Sequence, residues 1–457
     1  MSSRIKDMTR GNPWSLIVGF ALPLMFGNVF QQLYTVVDTM VVGQALGVSA
    51  LAAVGAVDWL NWMMLGIIQG LTQGFAIRMA QVFGAHQEEA LRKVVGVSAV
   101  LSAASAVVFA AAGLLLAKPV LRLLQTPEEI MPMSLLYLRI VFGGIPAVMA
   151  YNLFACIIRS LGDGQTPLRA MIVASVVNII LDLMFVLVLR WGIAGAAIAT
   201  VIAQCCAAVF CLLHLRKLSV LRLKKNHFVM DRELVTRLIA LGTPMAFQNA
   251  IISVGGMIIQ VVVNGFGVIF IAGFTATNKL YGILEIAATS YGYAMITYVG
   301  QNLGAGRMDR IRAGQRAAVK LSVITSLVIA VVMIVFGKVI LGWFISGSAE
   351  EVTQTMEVAY EYLVIMSAFL PVLYILHVCR SSIQGMGNTV LPMASGIAEF
   401  IMRTGAVLTL PAVLGQTGVF LAEVLAWTGA AVVLVPSYFS TARKRQRELI
   451  TEKEDSK

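Results

Sequence analysis

The sequence predicts an all-α, polytopic membrane protein of twelve transmembrane helices, arranged as two pseudo-symmetric six-helix lobes. Three observations carry this reading. Of 457 residues, 59% are hydrophobic and only 12% are charged, whereas a soluble domain is about 25% charged. The apolar residues fall in long runs, such as 94–117, 170–189 and 317–335. Short motifs of the first half also recur in the second at a nearly constant spacing of about 220 residues.

Each apolar run is long enough to cross a hydrocarbon core of about 30 Å at a rise of about 1.5 Å per residue. Twelve spans are expected, near 15–43, 55–82, 94–116, 134–157, 168–189, 193–213, 237–263, 271–300, 316–341, 358–379, 391–413 and 417–440. They must be helical, because lipid offers the backbone of a lone span no other partner. Most of the 34 lysines and arginines lie at the N-terminus, in alternate links (those after spans two, four, six, eight and ten) and in the C-terminal tail. The opposite set of links holds only Lys118, Arg122, Arg190 and Lys338. This bias places both termini in the cytoplasm.

The repeat is legible residue by residue. Ala21-Leu-Pro-Leu-Met-Phe-Gly-Asn28 matches Leu241-Gly-Thr-Pro-Met-Ala-Phe-Gln-Asn249, and Gln81-Val-Phe-Gly-Ala85 matches Gln301-Asn-Leu-Gly-Ala305. Gly162-Asp-Gly-Gln-Thr166 matches Gly385-Met-Gly-Asn-Thr389, and Gly195 matches Gly418. Six spans per half make the repeat parallel, with its axis along the membrane normal. The expected divisions are an N-terminal lobe at 1–213, a basic linker at 214–236, a C-terminal lobe at 237–440 and a cytoplasmic tail at 441–457. The tail, with Arg443–Arg447, reads as a solvated end beside anionic lipid.

Several chemistries are disfavoured. The five cysteines lie in apolar runs without zinc or redox spacing, and the four histidines are scattered. They read as buried small residues and isolated side chains, so no cofactor and no metal cluster is expected. The net charge of +11 is explained by topology rather than nucleic acid. The Gly- and Pro-rich stretch 159–167 is a tight cytoplasmic turn, since no Gly-Lys-Ser/Thr follows. No His-Glu-x-x-His pattern or nucleophile–base set suggests an enzyme. The first apolar run is too long for a signal-peptide core and reads as a retained helix.

An ionisable group inside a span costs about 2.5–3.5 kcal/mol on insertion scales and is usually paired or functional. Asp38, Asp58, Asp182, Lys279, Glu285, Glu399, Arg403 and Glu423 are the candidates, with Asn178 and Thr200 as polar neighbours. At helical rise, Asp38 lies roughly 5–8 Å, Asp182 roughly 12 Å and Thr200 roughly 10 Å inside the outer face. Asn178 shares a helix face with Asp182 one turn away. These four groups predict an oxygen-rich cage for Na⁺, or a proton relay in which two carboxylates hold one proton between them. At the repeat spacing Asp38 falls on Ile259, Asn178 on Ile401 and Asp182 on Gly405, so the second half lacks the cage. Glu399 and Arg403, four residues apart, read as a local ion pair. Tyr34, Met63, Glu285, Glu399 and Glu423 are weaker candidates for a substrate cavity. Pro23, inside the first span, is a candidate hinge, with Pro244 at the matching place.

Pro23 with Asp38-Thr-Met-Val-Val-Gly43, the 159–167 turn with its partner at 384–389, and Asn178-Ile-Ile-Leu-Asp182 together resemble the multidrug and toxic compound extrusion (MATE) family. The resemblance spans nearly the whole chain and is strongest to the branch related to the DNA-damage-inducible protein F. It implies a twelve-helix, two-lobe antiporter with a central cavity that alternates between inward and outward openings. Such a protein exports cationic amphipathic molecules in exchange for H⁺ or Na⁺. In that branch, the positions matching Asp38, Asn178, Asp182 and Thr200 form the cation site. The expected partners are then cationic small molecules and membrane lipid, not nucleic acid, with the chain acting as a monomer. A flippase of lipid-linked sugars, from the same superfamily, is the alternative.

Overall fold

The computed structural model describes residues 5–345 and 348–455; residues 1–4, with Arg4, and the tail residues 456–457 lie outside the described set. The first half runs through α1 (Pro13–Leu46), α2 (Val48–Gly84) and α3 (Glu88–Leu123), then α4 (Met131–Gly143) and α5 (Ile145–Ser160). It ends with α6 (Gln165–Asp182), which continues as a π-helical turn (Leu183–Val188), and α7 (Ile193–Leu215). The second half comprises α8 (Arg232–Asn264), α9 (Val268–Gly304), α10 (Met308–Gly342), α11 (Ala349–Gly385), α12 (Val390–Thr409), the short α13 (Pro411–Leu414) and α14 (Gln416–Asp455). Ten helical segments are long and apolar enough to cross a membrane, and α4 with α5, bent by 45°, makes an eleventh. α9 is 37 residues long but carries Asn278, Lys279 and Glu285 along its length, and does not qualify on apolarity. The chain is a multi-pass membrane protein, with ten or, counting the bent pair, eleven candidate spans among the described residues.

The backbone confirms the duplication in detail. Left-handed residues occur in matching pairs about 220 residues apart: Gly47 with Gly267, His86 with Gly306, Gly162 with Gly387, and Gly192 with Gly415. After α2, the Gln87 amide bonds the Val82 carbonyl at 3.2 Å; after α9, the Arg307 amide bonds the Asn302 carbonyl at 2.8 Å. Both are the same helix-ending turn, in which a left-handed residue frees the last carbonyls for capping. Glycine adopts that conformation without strain, but in the first half His86 occupies it, with φ of 57°.

The chain forms two compact units. Among the described residues one holds those up to Asp7 together with Leu22–Ala246, and the other holds Met8–Ala21 and the chain from Phe247 onward. The divisions fall inside α1 and α8, within a few residues of Pro23 and Pro244, yet both helices run unbroken through their prolines.

In the first unit, small residues allow close crossings. A Cβ on Gly74 would lie 2.3 Å from Gly242 Cα, so α2 and the start of α8 pack backbone to backbone. The linker between α7 and α8 is docked, not free. His227 is buried against α3, its Nε2 2.7 Å from Glu89 Oε1, while its Nδ1 accepts from the Lys224 amide at 2.8 Å. Arg92 donates to the Val220 carbonyl at 3.0 Å, and Lys93 pairs with Asp231 at 2.7 Å. The lysine's hydrogen bond, with help from the Glu233 amide, holds the Asp231 carboxyl below its ordinary range. That contact therefore stabilises the docked linker above the ordinary aspartate pKa of about 4 and is lost as pH falls through the depressed value.

In the second unit an aromatic stack ties α9, α11 and α14 together. Phe270 stacks on Phe420 (5.5 Å between centroids), Phe420 on Tyr362 (4.7 Å) and Tyr362 on Phe274 (4.9 Å). The segment before α1 is fixed to α9 and α10. Gln301 Oε1 accepts from the Met8 amide at 2.8 Å, and Arg310 donates to the Gly11 carbonyl at 2.9 Å. Cysteine placement departs from expectation: Cys156, Cys211 and Cys379 are buried, but Cys205 is exposed on α7. An apolar run that must face lipid can display a cysteine as readily as bury one.

Two stability predictions follow from these close approaches. His86→Gly relieves the left-handed strain and should raise stability by up to about 1 kcal/mol. Gly96→Ala should lower it by about 1–3 kcal/mol, because the added methyl would stand 2.2 Å from the His227 carbonyl oxygen. Thermal unfolding of the detergent-solubilised protein measures both.

Candidate functional site

The sequence-derived polar residues of the first half lie on neighbouring helices of one unit. Asp38 is on α1, Asn178 and Asp182 end α6, and Thr200 is on α7. Asn178 and Asp182 have no exposed surface, and Asp38 is 9% exposed. Both carboxylate oxygens of Asp182, both amide atoms of Asn178 and Oδ1 of Asp38 are buried without a hydrogen-bond partner among the described residues. Asp38 and Asp182 lie within electrostatic reach of each other, so neither carboxylate is isolated from the other's charge. Buried polar atoms are normally paired, so these three side chains are exceptions that call for an explanation.

Local structure explains how these groups are presented. The backbone leaves α-helical register immediately after Asp182, where Leu183–Val188 is π-helical. The Leu189 amide reaches the Met184 carbonyl at 2.8 Å, five residues back. Such turns are rare and are frequently found at functional sites. The following hairpin is pinned by Trp191 stacked on Phe185 (4.7 Å) and by Gly195, whose Cβ would lie 3.0 Å from Phe185 Cβ.

Two neighbours escape a reading of the sequence. Gln204, one turn beyond Thr200 on the same face of α7, is in hydrogen-bonding reach of Tyr34, as is Gln31. Tyr137 on α4 is within electrostatic reach of Asp38, Asp58 and Asp182. The four-residue spacing of Thr200 and Gln204 is a usable signal for the first; nothing local singles out Tyr137. Tyr34, considered for a substrate cavity, lies one turn before Asp38 and close to both carboxylates. Thr200 is half-buried on the face shared with Gln204. Met63 packs against the hydrophobic core of this unit.

The second unit has a different electrostatic arrangement. Arg403 Nη2 donates to Glu399 Oε1 at 3.0 Å and to Glu423 Oε2 at 2.9 Å, and Arg380 Nη2 donates to Glu399 Oε2 at 2.7 Å. The local pair expected from sequence is thus the middle of a buried chain linking α11, α12 and α14. Hydropathy assigns Arg380 to a cytoplasmic link, but it is only 8% exposed, because α11 continues to Gly385. Glu285 faces His377 at 3.5 Å. At the positions matching Asn178 and Asp182, Ile401 is 61% exposed, and a Cβ added to Gly405 would meet nothing within 4 Å. Carboxylates are neutralised by arginine in the second unit, whereas Asp38 and Asp182 have no ion-pair partner among the described residues.

The MatE family model matches residues 23–184 and again 244–406, the two halves of the repeat. The chain belongs to the MATE family. Among its relatives in this transporter family, the probable multidrug resistance protein YpnP of Bacillus subtilis is 30% identical over 454 residues, spanning 98% of this chain and 99% of the relative. The DNA damage-inducible protein F of Escherichia coli is 27% identical, over 77% of this chain and 76% of the relative. The crystal structure of a MATE protein in the bent conformation superposes with a TM-score of 0.89 at 21% identity, covering 98% and 100% of the two chains. It establishes the MATE fold for this chain.

The contrast between the two charge clusters gives predictions of opposite sign. Arg403→Met would strand the buried Glu423 and leave Glu399 with Arg380 alone, and should cost about 3–5 kcal/mol. Asp182→Leu removes an unpaired buried carboxylate and should leave stability unchanged or raised by roughly 1 kcal/mol or more. Unfolding midpoints of the two variants, measured side by side in one detergent, check the assignment.

Proposed function

We propose that this MATE transporter is a cation-coupled multidrug exporter of the bacterial cytoplasmic membrane, with both termini cytoplasmic. It expels cationic amphipathic molecules by antiport with H⁺ or Na⁺. The observation that supports the reading is the pair of buried, unpaired carboxylates, Asp38 and Asp182, with the unpaired amide of Asn178 one turn before Asp182. A proton would neutralise one carboxylate where two charges are costly. A Na⁺ would take oxygens from Asp38, Asn178, Asp182 and Thr200, a donor set of carboxylate, amide and hydroxyl that suits a hard cation.

The cycle is one of differential binding. The coupling ion enters from outside and satisfies Asp38 and Asp182. The environment of α1 changes, affinity for the exported cation falls, and the cation leaves outward. Linkage requires the reverse as well: a bound drug must weaken ion binding by the same factor. Pro23 lacks an amide hydrogen and leaves one α1 backbone bond unmade, so bending there is inexpensive. A substrate-facing role for Tyr34, Met63, Glu285, Glu399 and Glu423 belongs to the same proposal. Glu399 and Glu423 would first have to give up Arg403.

The flippase alternative needs a basic site for a pyrophosphate. The buried arginines Arg380 and Arg403 are instead balanced by Glu399 and Glu423, which favours export of cations.

Purified protein in proteoliposomes, loaded with a fluorescent organic cation and given ΔpH and ΔNa⁺ separately, tests the reading. One gradient should drive dye movement, and Asp38→Asn or Asp182→Asn should reduce that movement at least about tenfold, the effect of losing roughly 1.4 kcal/mol of coupling. Undiminished gradient-driven transport by Asp38→Asn would remove the proposed site.

A further inference from the structure

The far end of α14 carries a feature that the transport cycle does not use. The helix continues past its apolar span to Asp455, and its two faces differ. One face is docked: Leu434, Tyr438 and Ala442 are buried, and Arg445 donates to the Met386 carbonyl at 3.0 Å while pairing with Glu448 at 2.6 Å. The other face forms a shallow recess, open to its surroundings, whose described lining comes from α14 alone. Pro436 and Phe439 form its apolar end, and Arg443, Lys444 and Arg447 its cationic end. These three cations make no ion pair among the described residues, and the one carboxylate lining the recess, Glu448, is already held by Arg445.

Spacing makes the recess amphipathic along one line. Pro436, Arg443 and Arg447 recur at helical intervals on one face, with the arginines roughly 10 and 16 Å beyond the proline along the axis. An apolar bed leading into three unneutralised cations complements a molecule with a hydrocarbon chain and an anionic head. Arginine pairs phosphate oxygens through two parallel donors, which gives such a head a defined seat.

We propose that this recess binds an anionic phospholipid, its phosphate held by Arg443, Lys444 and Arg447 and its chain laid along Phe439 and Pro436. The apolar bed favours a lipid over free phosphate, which would use only the cationic end. The site is independent of the coupling ion and of the exported molecule.

The test uses full-length protein, delipidated in a neutral maltoside detergent. Phosphatidylglycerol, phosphatidylcholine of the same chains and inorganic phosphate are titrated separately. Native mass spectrometry counts bound lipid and the unfolding midpoint reports stabilisation. Phosphatidylglycerol should bind saturably and raise the midpoint; phosphatidylcholine and phosphate should do neither. Each cation removed should weaken lipid binding roughly fivefold, so R443Q/R447Q should weaken it roughly 25-fold. The lipid-free midpoint of that variant should match the parent, since both side chains are exposed. R443K/R447K, which keeps the charge but loses the paired donors, should weaken binding by less than R443Q/R447Q does, which separates a charge effect from a folding defect. Equal binding of the two lipids, an unaffected R443Q/R447Q variant, or displacement of lipid by millimolar phosphate would each overturn the proposal.

Discussion

A carboxylate removed from water needs a counter-charge, a proton or a bound cation, because its desolvation costs several kcal/mol that packing alone does not return. The rest of this molecule follows from how its two halves meet that requirement. In the second unit Glu399 and Glu423 are matched by Arg380 and Arg403, and the charge chain is closed. In the first unit Asp38 and Asp182 face each other's charge with unfilled oxygens and an unpaired Asn178 amide nearby. One duplicated scaffold therefore carries a self-satisfied cluster in one copy and an unsatisfied one in the other. An ion entering the second cluster would first have to break a buried ion pair, whereas the first cluster has no such pair among the described residues.

Holding unpaired carboxylates in place requires a rigid frame. The π-helical turn after Asp182, the Phe185–Trp191 stack and the close seat of Gly195 fix the end of α6. Linker residues docked on α3 close off the other end of the same unit. α1 has a weaker internal frame at Pro23, where one backbone bond is missing. Asp38 thus sits on a helix with one backbone bond missing, while Asp182 sits beside a segment that is braced.

Much of the candidate site is legible in the sequence, for identifiable reasons. Asp38, Asn178, Asp182 and Thr200 stand out because a polar residue within an apolar run is costly and rare, and because the repeat shows Ile259, Ile401 and Gly405 at matching positions. Tyr137 does not stand out, because a tyrosine near a span end is unremarkable until a neighbouring helix brings a carboxylate to it; Gln204, in mid-span, is signalled only by its four-residue spacing from Thr200. Arg380 is misplaced by hydropathy, which falls at the end of a span whether the next residue meets water or a buried glutamate. Cys205 is expected to be buried but is not, because an apolar run does not say which of its faces meets lipid.

The sequence by itself determined the helical passes, the duplication, the multi-pass character and the list of costly polar residues. Those properties depend on local composition and on spacing along the chain, where the bilayer's thickness and the backbone's need for hydrogen bonds leave little choice. Tertiary structure alone decided which charges are neutralised. Arg380 meets Glu399, and Arg403 meets Glu423, across about twenty residues and between different helices. Pairing of that kind depends on helix rotation and packing within each unit, which hydropathy and periodicity do not encode.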